Sequence, residues 1–154
     1  MIGSYTLTYM RIHELGHIVL YVSNLTRSAD FYKNTLGFKE IHRDRNTALF
    51  SSGRTHHELL LIEVGGKAKE MHAPEAGLYH IGFKIGNSDE ELKSAYKELQ
   101  EQGIQIIGSA DHHVTHSLYI LDPDNNELEL YCDVDDTWKN DTSKIIKPPK
   151  RLEL

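Results

Sequence analysis

Two histidines occupy equivalent places in a repeated stretch of the chain. His17 follows Gly16 and precedes Ile18-Val19-Leu20-Tyr21-Val22-Ser23-Asn24; His80 follows Tyr79 and precedes Ile81-Gly82-Phe83-Lys84-Ile85-Gly86-Asn87. In each copy the residues alternate with the period of a strand. Ile18, Leu20 and Val22 share one face, and His17, Val19 and Tyr21 the other. Tyr79, Ile81, Phe83 and Ile85 are expected against a helix, with His80, Gly82 and Lys84 turned away. In a third strand near the end, Leu128, Leu130 and Cys132 form the core face, while Glu127, Glu129 and Tyr131 face the other way. Two imidazoles and at least one carboxylate thus project from three strands onto non-core faces. Neutral nitrogen ligands, one charge-offsetting carboxylate and open coordination positions are the arrangement that suits non-haem Fe(II). The sequence holds ten histidines, and they do not form a tag-like run. Metal or acid–base chemistry is the natural use of such a surplus.

The elements that must position these residues follow the repeat. After the first strand, Asn24 or Thr26 caps a helix over about 27–36, with Gly37 at its end. Strands follow at 38–42, 47–52 and 57–64, the last closed by Gly65-Gly66. A polar linker over 65–77 leads to the second copy. There a strand over 78–85 precedes a helix capped by Asn87 or Ser88, with Asp89, Glu90 and Glu91 in its first turn, where negative charge suits the helix dipole. Leu92, Ala95, Tyr96 and Leu99 form its apolar stripe, and Gly103 ends it. Strands at 104–108, 117–121 and 127–132 complete the copy, with a histidine-rich loop after the first. The period is too long for a short-motif solenoid, and only two copies fit. The fold class is α+β: two βαβββ modules, about 12–65 and 78–132, forming a cleft-shaped mixed sheet with helices on the outer face. Residues 1–132 make one domain, with a strand or loose arm over 1–13, and 133–154 form a tail over the surface or the cleft.

Composition sets outer bounds. The chain has 154 residues, 39% hydrophobic and 26% charged, ordinary values for a globular protein with a real core. A formal charge of −6 argues against nucleic acid or an anionic membrane as partner. A single cysteine, Cys132, excludes an intrachain disulfide and points to a reducing, cytoplasmic setting. No apolar run approaches a membrane span, and the first residues do not read as a signal peptide. A homodimer is the default assembly.

Two longer stretches carry a resemblance. Gly16-His17-Ile18 through Phe31-Tyr32-Lys33-Asn34-Thr35-Leu36-Gly37-Phe38, and Asp122-Pro123-Asp124-Asn125-Asn126-Glu127-Leu128-Glu129-Leu130-Tyr131, resemble the first and last signatures of the vicinal oxygen chelate superfamily. The resemblance covers about residues 12–132. It implies metal ligands at His17, His80 and Glu129. Ser52-Gly53-Arg54-Thr55-His56-His57 is similar to the paired-histidine segment of type I extradiol dioxygenases, which implies that His57 is the acid–base residue. Asp111-His112-His113-Val114 and Ser117-Leu118-Tyr119 resemble the segment supplying a second histidine and a tyrosine, which implies roles for Tyr119 and for His112 or His113. The expectation is an Fe(II)-dependent extradiol dioxygenase, with Mn(II) as the other candidate metal, acting with O2 on a small catechol-type aromatic. A glyoxalase- or epimerase-like isomerase would carry Ni, Zn or Co and a fourth ligand. Aligning the two modules puts Leu60 opposite Glu129, and Glu58 lies two residues away on the same face. A metal-free binding or resistance protein, and a small thiol- or antibiotic-modifying transferase, are the remaining alternatives.

Overall fold

The repeat becomes two four-stranded sheets, each carrying one helix. The computed structural model describes residues 10–70 and 76–153. The arm expected over 1–13 and the linker expected over 65–77 lie partly outside them. In the first module β1 (Ile18–Val22) leads through α1 (Leu25–Asp30) to β2 (Lys39–Arg43), β3 (Thr47–Ser51) and β4 (Leu59–Glu63). In the second, β5 (His80–Gly86) leads through α2 (Asp89–Glu101) to β6 (Ile106–Asp111), β7 (Thr115–Leu121) and β8 (Glu127–Asp133). The strand orders are β1-β4-β3-β2 and β5-β8-β7-β6. In each sheet the first and last strands of the module are parallel and the others antiparallel.

The helices stop where local chemistry dictates. Asn24 caps α1, its side chain accepting from the Arg27 N–H at 2.9 Å. The single helix expected over 27–36 is instead α1 followed by a π turn over Phe31–Thr35, closed by Leu36 N–H to Phe31 C=O. Gly37 then takes φ +72°, which releases Phe38 into β2. Ser88 caps α2, and its Glu91 carboxylate reaches back to the Asn87 N–H at 2.7 Å. Gly86 makes room for that carboxylate, since a Cβ there would stand 2.6 Å from it. At the far end, Ile104 N–H bonds Leu99 C=O across Gly103, φ +71°.

One contiguous core joins the modules, with Val22, Tyr32, Phe50 and Leu61 from the first and Leu92, Leu118, Leu128 and Cys132 from the second. Phe38 meets Phe83 edge-on at 5.4 Å. Ile81 is buried as the alternation requires, but Tyr79 is 72% exposed and Ile85 36%. Tyr79 precedes β5, and β5 is an edge strand, so neither end of its apolar face is fully covered.

The histidine-rich loop is shorter than expected because β6 runs on to Asp111 and β7 starts at Thr115. The reversal is made by His113 at φ +70°. The tail forms two short 3-10 turns, Thr137–Lys139 and Thr142–Lys144, and then adds itself to the open edge of β6. Asp111 and Lys150 exchange both backbone hydrogen bonds, at 2.9 and 2.8 Å, and Ser109 Oγ donates to Leu152 C=O. An unpaired edge is a template for aggregation, and this one is closed by the chain itself.

Candidate active site

The second module carries a connected polar cluster on its non-core face. Strand register builds it: His80 pairs with Glu127 and Gly82 with Glu129 across β5 and β8, and Tyr119 pairs with Glu129 across β7 and β8. His80 Nε2 lies 3.2 Å from Glu129 Oε2. The other carboxylate oxygen is gripped from β7, where Ser117 Oγ donates to Oε1 at 2.6 Å and Tyr119 O–H at 3.2 Å. That uses the only proton of the phenol, so His112 Nε2–H donates to Tyr119 Oη at 2.9 Å, which fixes the His112 tautomer. Burial, then the Glu129 charge, push the Tyr119 phenol well above its ordinary pKa, so it remains a donor. His113, by contrast, turns to the tail and bonds Pro148 C=O at 3.0 Å. Of the two histidines the sequence left open, His112 is the one aimed at the cluster.

His80 has one buried nitrogen without a hydrogen-bond partner, Nδ1. Glu127 Oε1 stands 3.6 Å from it, close enough to orient the ring but beyond bonding distance. Gly82 leaves the space in front of Glu129 clear, since a Cβ there would stand 3.4 Å from Oε2.

The first module carries the other candidates. His17, just before β1, lies with its ring centroid 4.6 Å from that of His57 and 6.4 Å from that of His56. His56 and His57 share a hydrogen bond between their Nδ1 atoms at 2.6 Å. Burial first, then the charges of His56 and His17, lower the His57 pKa, which favours the neutral base. Glu58 is occupied: its two oxygens accept from the Ser52 and Thr55 N–H groups at 2.7 and 2.6 Å, bracing the loop that presents both histidines. Val19 pairs with Leu60 as Gly82 pairs with Glu129, so an apolar side chain stands at the module-one position equivalent to Glu129.

His17 and His80 both line one cleft of about 580 Å³, together with Phe38, Arg54, Lys84 and Tyr131. Among the described residues, however, no group of three or more His, Cys, Asp or Glu side chains converges closely enough to hold a metal ion. The expected triad is divided. His80 and Glu129 meet, with Ser117 and Tyr119 bonded to Glu129 and Glu127 3.6 Å from His80 Nδ1; His17 stays with His57 and His56. The chemistry of the donors suits a divalent metal, but within one chain only two of the three fit. Sequence reasoning put Glu127 on the face of Glu129 but gave it no role, and it gave none to Ser117. Strand alternation was the available signal, since Ser117 shares a face with Tyr119, and Glu127 with Glu129.

Comparison with known proteins agrees with this architecture. Residues 14–130 match the Glyoxalase/Bleomycin resistance protein/Dioxygenase superfamily. The chain is 37% identical to a catechol-2,3-dioxygenase of Bacillus subtilis over 138 residues, 84% of this chain and 46% of that protein. It is 30% identical to biphenyl-2,3-diol 1,2-dioxygenase 3 of Rhodococcus globerulus, covering 78% of this chain and 63% of that one. It therefore spans about half to two-thirds of the length of these relatives. Among solved structures, a glyoxalase/dioxygenase from Nostoc punctiforme superposes with a TM-score of 0.64 at 20% identity, over 86% of this chain and 99% of that one. The fosfomycin resistance protein FosX from Listeria monocytogenes gives 0.63 at 24% identity, over 80% and 96%. No helix among the described residues is long and apolar enough to cross a membrane. The chain belongs to the Glyoxalase/Bleomycin resistance protein/Dioxygenase superfamily.

Proposed function

We propose that the protein is a metal-dependent extradiol dioxygenase that opens the ring of a catechol-type aromatic with O2. Fe(II) is the first candidate metal and Mn(II) the second. The observation that carries this reading is the Glu129 carboxylate, with one oxygen held by Ser117 and Tyr119 and the other left to His80 Nε2. His80 and Glu129 would be two of the ligands and His17 the third. A bound divalent metal would polarise the catechol oxygens and bring O2 into reaction.

The side chains around it have work of their own. Ser117 and Tyr119 fix the Glu129 rotamer, and Glu127 orients the His80 ring. His112 holds the Tyr119 hydroxyl, so the pair forms a donor line at the edge of the cluster. His57, kept neutral, would take and return a substrate proton. The isomerase alternative needs a fourth ligand from the first module. Leu60 at the equivalent position and the occupied Glu58 both speak against it.

His17 does not converge on the pair within the chain, and we infer that a second copy supplies it in a homodimer. β1 and β5 are edge strands of their sheets. Val19 and Tyr21 are 44% and 70% exposed on one, and Leu78 and Tyr79 are 65% and 72% exposed beside the other. Laying β1 of one copy against β5 of the next would cover these side chains and carry His17 toward His80.

The test is oxygen uptake by anaerobically purified, Fe(II)-loaded protein against a panel of catechols, with His17→Ala as control. Uptake with a yellow ring-opened product, lost in the variant, is the expected result. Bound iron with no uptake on any catechol would overturn the dioxygenase assignment.

A further inference from the structure

Beyond the cluster, the same face of the second sheet carries a cation that the reaction described above does not use. Alternation along β5 puts Lys84 on the face of His80 and Gly82. The register sets it opposite Tyr131, one row of side chains past Gly82 and Glu129. Rows on one face are two residues apart, about 6.6 Å. Lys84 and Tyr131 line the same cleft as His80.

Lys84 Nζ lies 2.5 Å from Asp133 Oδ2, with the two side chains 40% and 28% exposed. An ammonium has three donors, and this carboxylate takes one. The hydrogen bond to Asp133 also raises the Lys84 pKa, so the charge persists at any working pH. Arg54, the other Lys or Arg side chain lining the cleft, already donates to Glu14 and to the Leu15 and Gly16 carbonyls, with Glu58 3.8 Å away. On this face of β5, Gly82 stands between His80 and Lys84, and its missing side chain keeps the floor flat beside the Tyr131 ring, 3.6 Å from where a Cβ would be.

We propose that Lys84 selects the substrate, and that the catechol this cleft takes carries a carboxylate on the side of the ring away from the diol. The inference rests on the dioxygenase reading above. With the diol at the His80–Glu129 end, a flat ring over Gly82 spans about one row. A short acidic substituent then arrives at the ammonium donors left free by Asp133. Asp133 counterbalances the cation while the cleft is empty and competes with the incoming carboxylate for it. The two members of the pair therefore act on anionic substrates in opposite directions.

That opposition is the test. The kcat/KM for 3,4-dihydroxyphenylacetate is compared with that for 4-ethylcatechol in the wild type, Lys84→Met and Asp133→Asn. The wild type is expected to favour the acid by about tenfold or more, the worth of a charge-assisted hydrogen bond. Lys84→Met should abolish the preference, and Asp133→Asn should raise it. A structural ion pair would be weakened alike from either side, so equal effects of the two variants, or no preference in the wild type, would overturn the proposal. Binding of phenylacetate, followed by calorimetry, gives a readout that needs no turnover. If no catechol of either kind is consumed, the dioxygenase reading fails while this arm still decides Lys84: affinity lost in Lys84→Met and gained in Asp133→Asn supports the anion site, and unchanged affinity rejects it.

Discussion

Tyr32, fully buried in the first module, donates a 2.8 Å hydrogen bond to Asp122 Oδ2 in the turn before β8 of the second. The neighbouring Asp124 accepts from Ser23, Ser28 and Arg27, so one turn grips the start and middle of the first module's helical segment. Tyr32→Phe removes the only donor the first module offers to Asp122 among the described residues. A buried hydrogen bond to a charged group is worth about 1.5–3 kcal/mol, and urea unfolding should show a loss of that size. The pH dependence has a definite sign. Burial first, then Asp122, hold the Tyr32 pKa well above 10.0. The contribution is therefore complete below the ordinary tyrosine range. It falls as pH rises above that range, because the unfolded chain ionises there and the folded one does not. The variant should have a flatter alkaline limb; an unchanged limb would refute the coupling.

Glu58 gives the opposite limb. Burial raises its pKa, but the hydrogen bonds from Ser52, Thr55 and Ser51 together outweigh this and leave it lowered. Its contribution is present above the ordinary carboxylate pKa and is lost as pH falls through the lowered folded value. The loop presenting His56 and His57 should loosen over that acidic window. Amide exchange at Ser52 and Thr55 reads it directly. In Glu58→Gln the exchange, corrected for intrinsic rates, should be faster at neutral pH and should no longer change across the window. If protection in the variant matched the wild type, Glu58 would not be the brace.

Much of this was legible in the residues. Alternation in the two repeated strands and in β8 placed His80, Glu127 and Glu129 on one face, because a period of two leaves no freedom once the core face is chosen. The glycines at 37 and 103 marked both helix ends through their positive φ. Other features depend on contacts distant in sequence. Tyr79 is apolar and was expected in the core, but nothing local says that β5 lies at an edge. The choice of His112 over His113 came from a left-handed residue in a three-residue reversal and from a tail carbonyl, that of Pro148, 35 positions away. The separation of His17 from His80 is a matter of how two modules sit together, which no strand pattern encodes.

Tyr119 should act through Glu129. Tyr119→Phe leaves the ring in place and removes the donor to Oε1 along with the acceptor for His112. If Glu129 ligates the proposed metal, loss of such an outer hydrogen bond should cost about 10–100-fold in metal affinity or activity. Ser117→Ala, which removes the 2.6 Å bond, should weaken metal binding in the same range. Metal titration separates the two contributions: Ser117→Ala should change affinity alone, and Tyr119→Phe should lower kcat even at saturating metal. A Tyr119→Phe enzyme with wild-type kcat would remove the phenol from the reaction.

The divided triad makes the sharpest demand. If His17 of one copy completes the site of another, His17→Ala and Glu129→Ala are each inactive alone but complementary together. In a mixed pair, the Glu129→Ala chain supplies an intact His17 to the intact His80 and Glu129 of the His17→Ala chain. The other site of that pair loses both residues. Random re-pairing makes half of all dimers mixed, each with one good site, so equal mixing after mild dissociation should restore about a quarter of wild-type sites. Metal stoichiometry should recover in parallel with oxygen uptake, which separates site assembly from turnover. A site closed within one chain would leave the mixture as inactive as its parts. Recovery of both readouts would instead require β1 of one chain to meet β5 of another, and would explain why the edge of β6 is covered by the tail while these two stay open.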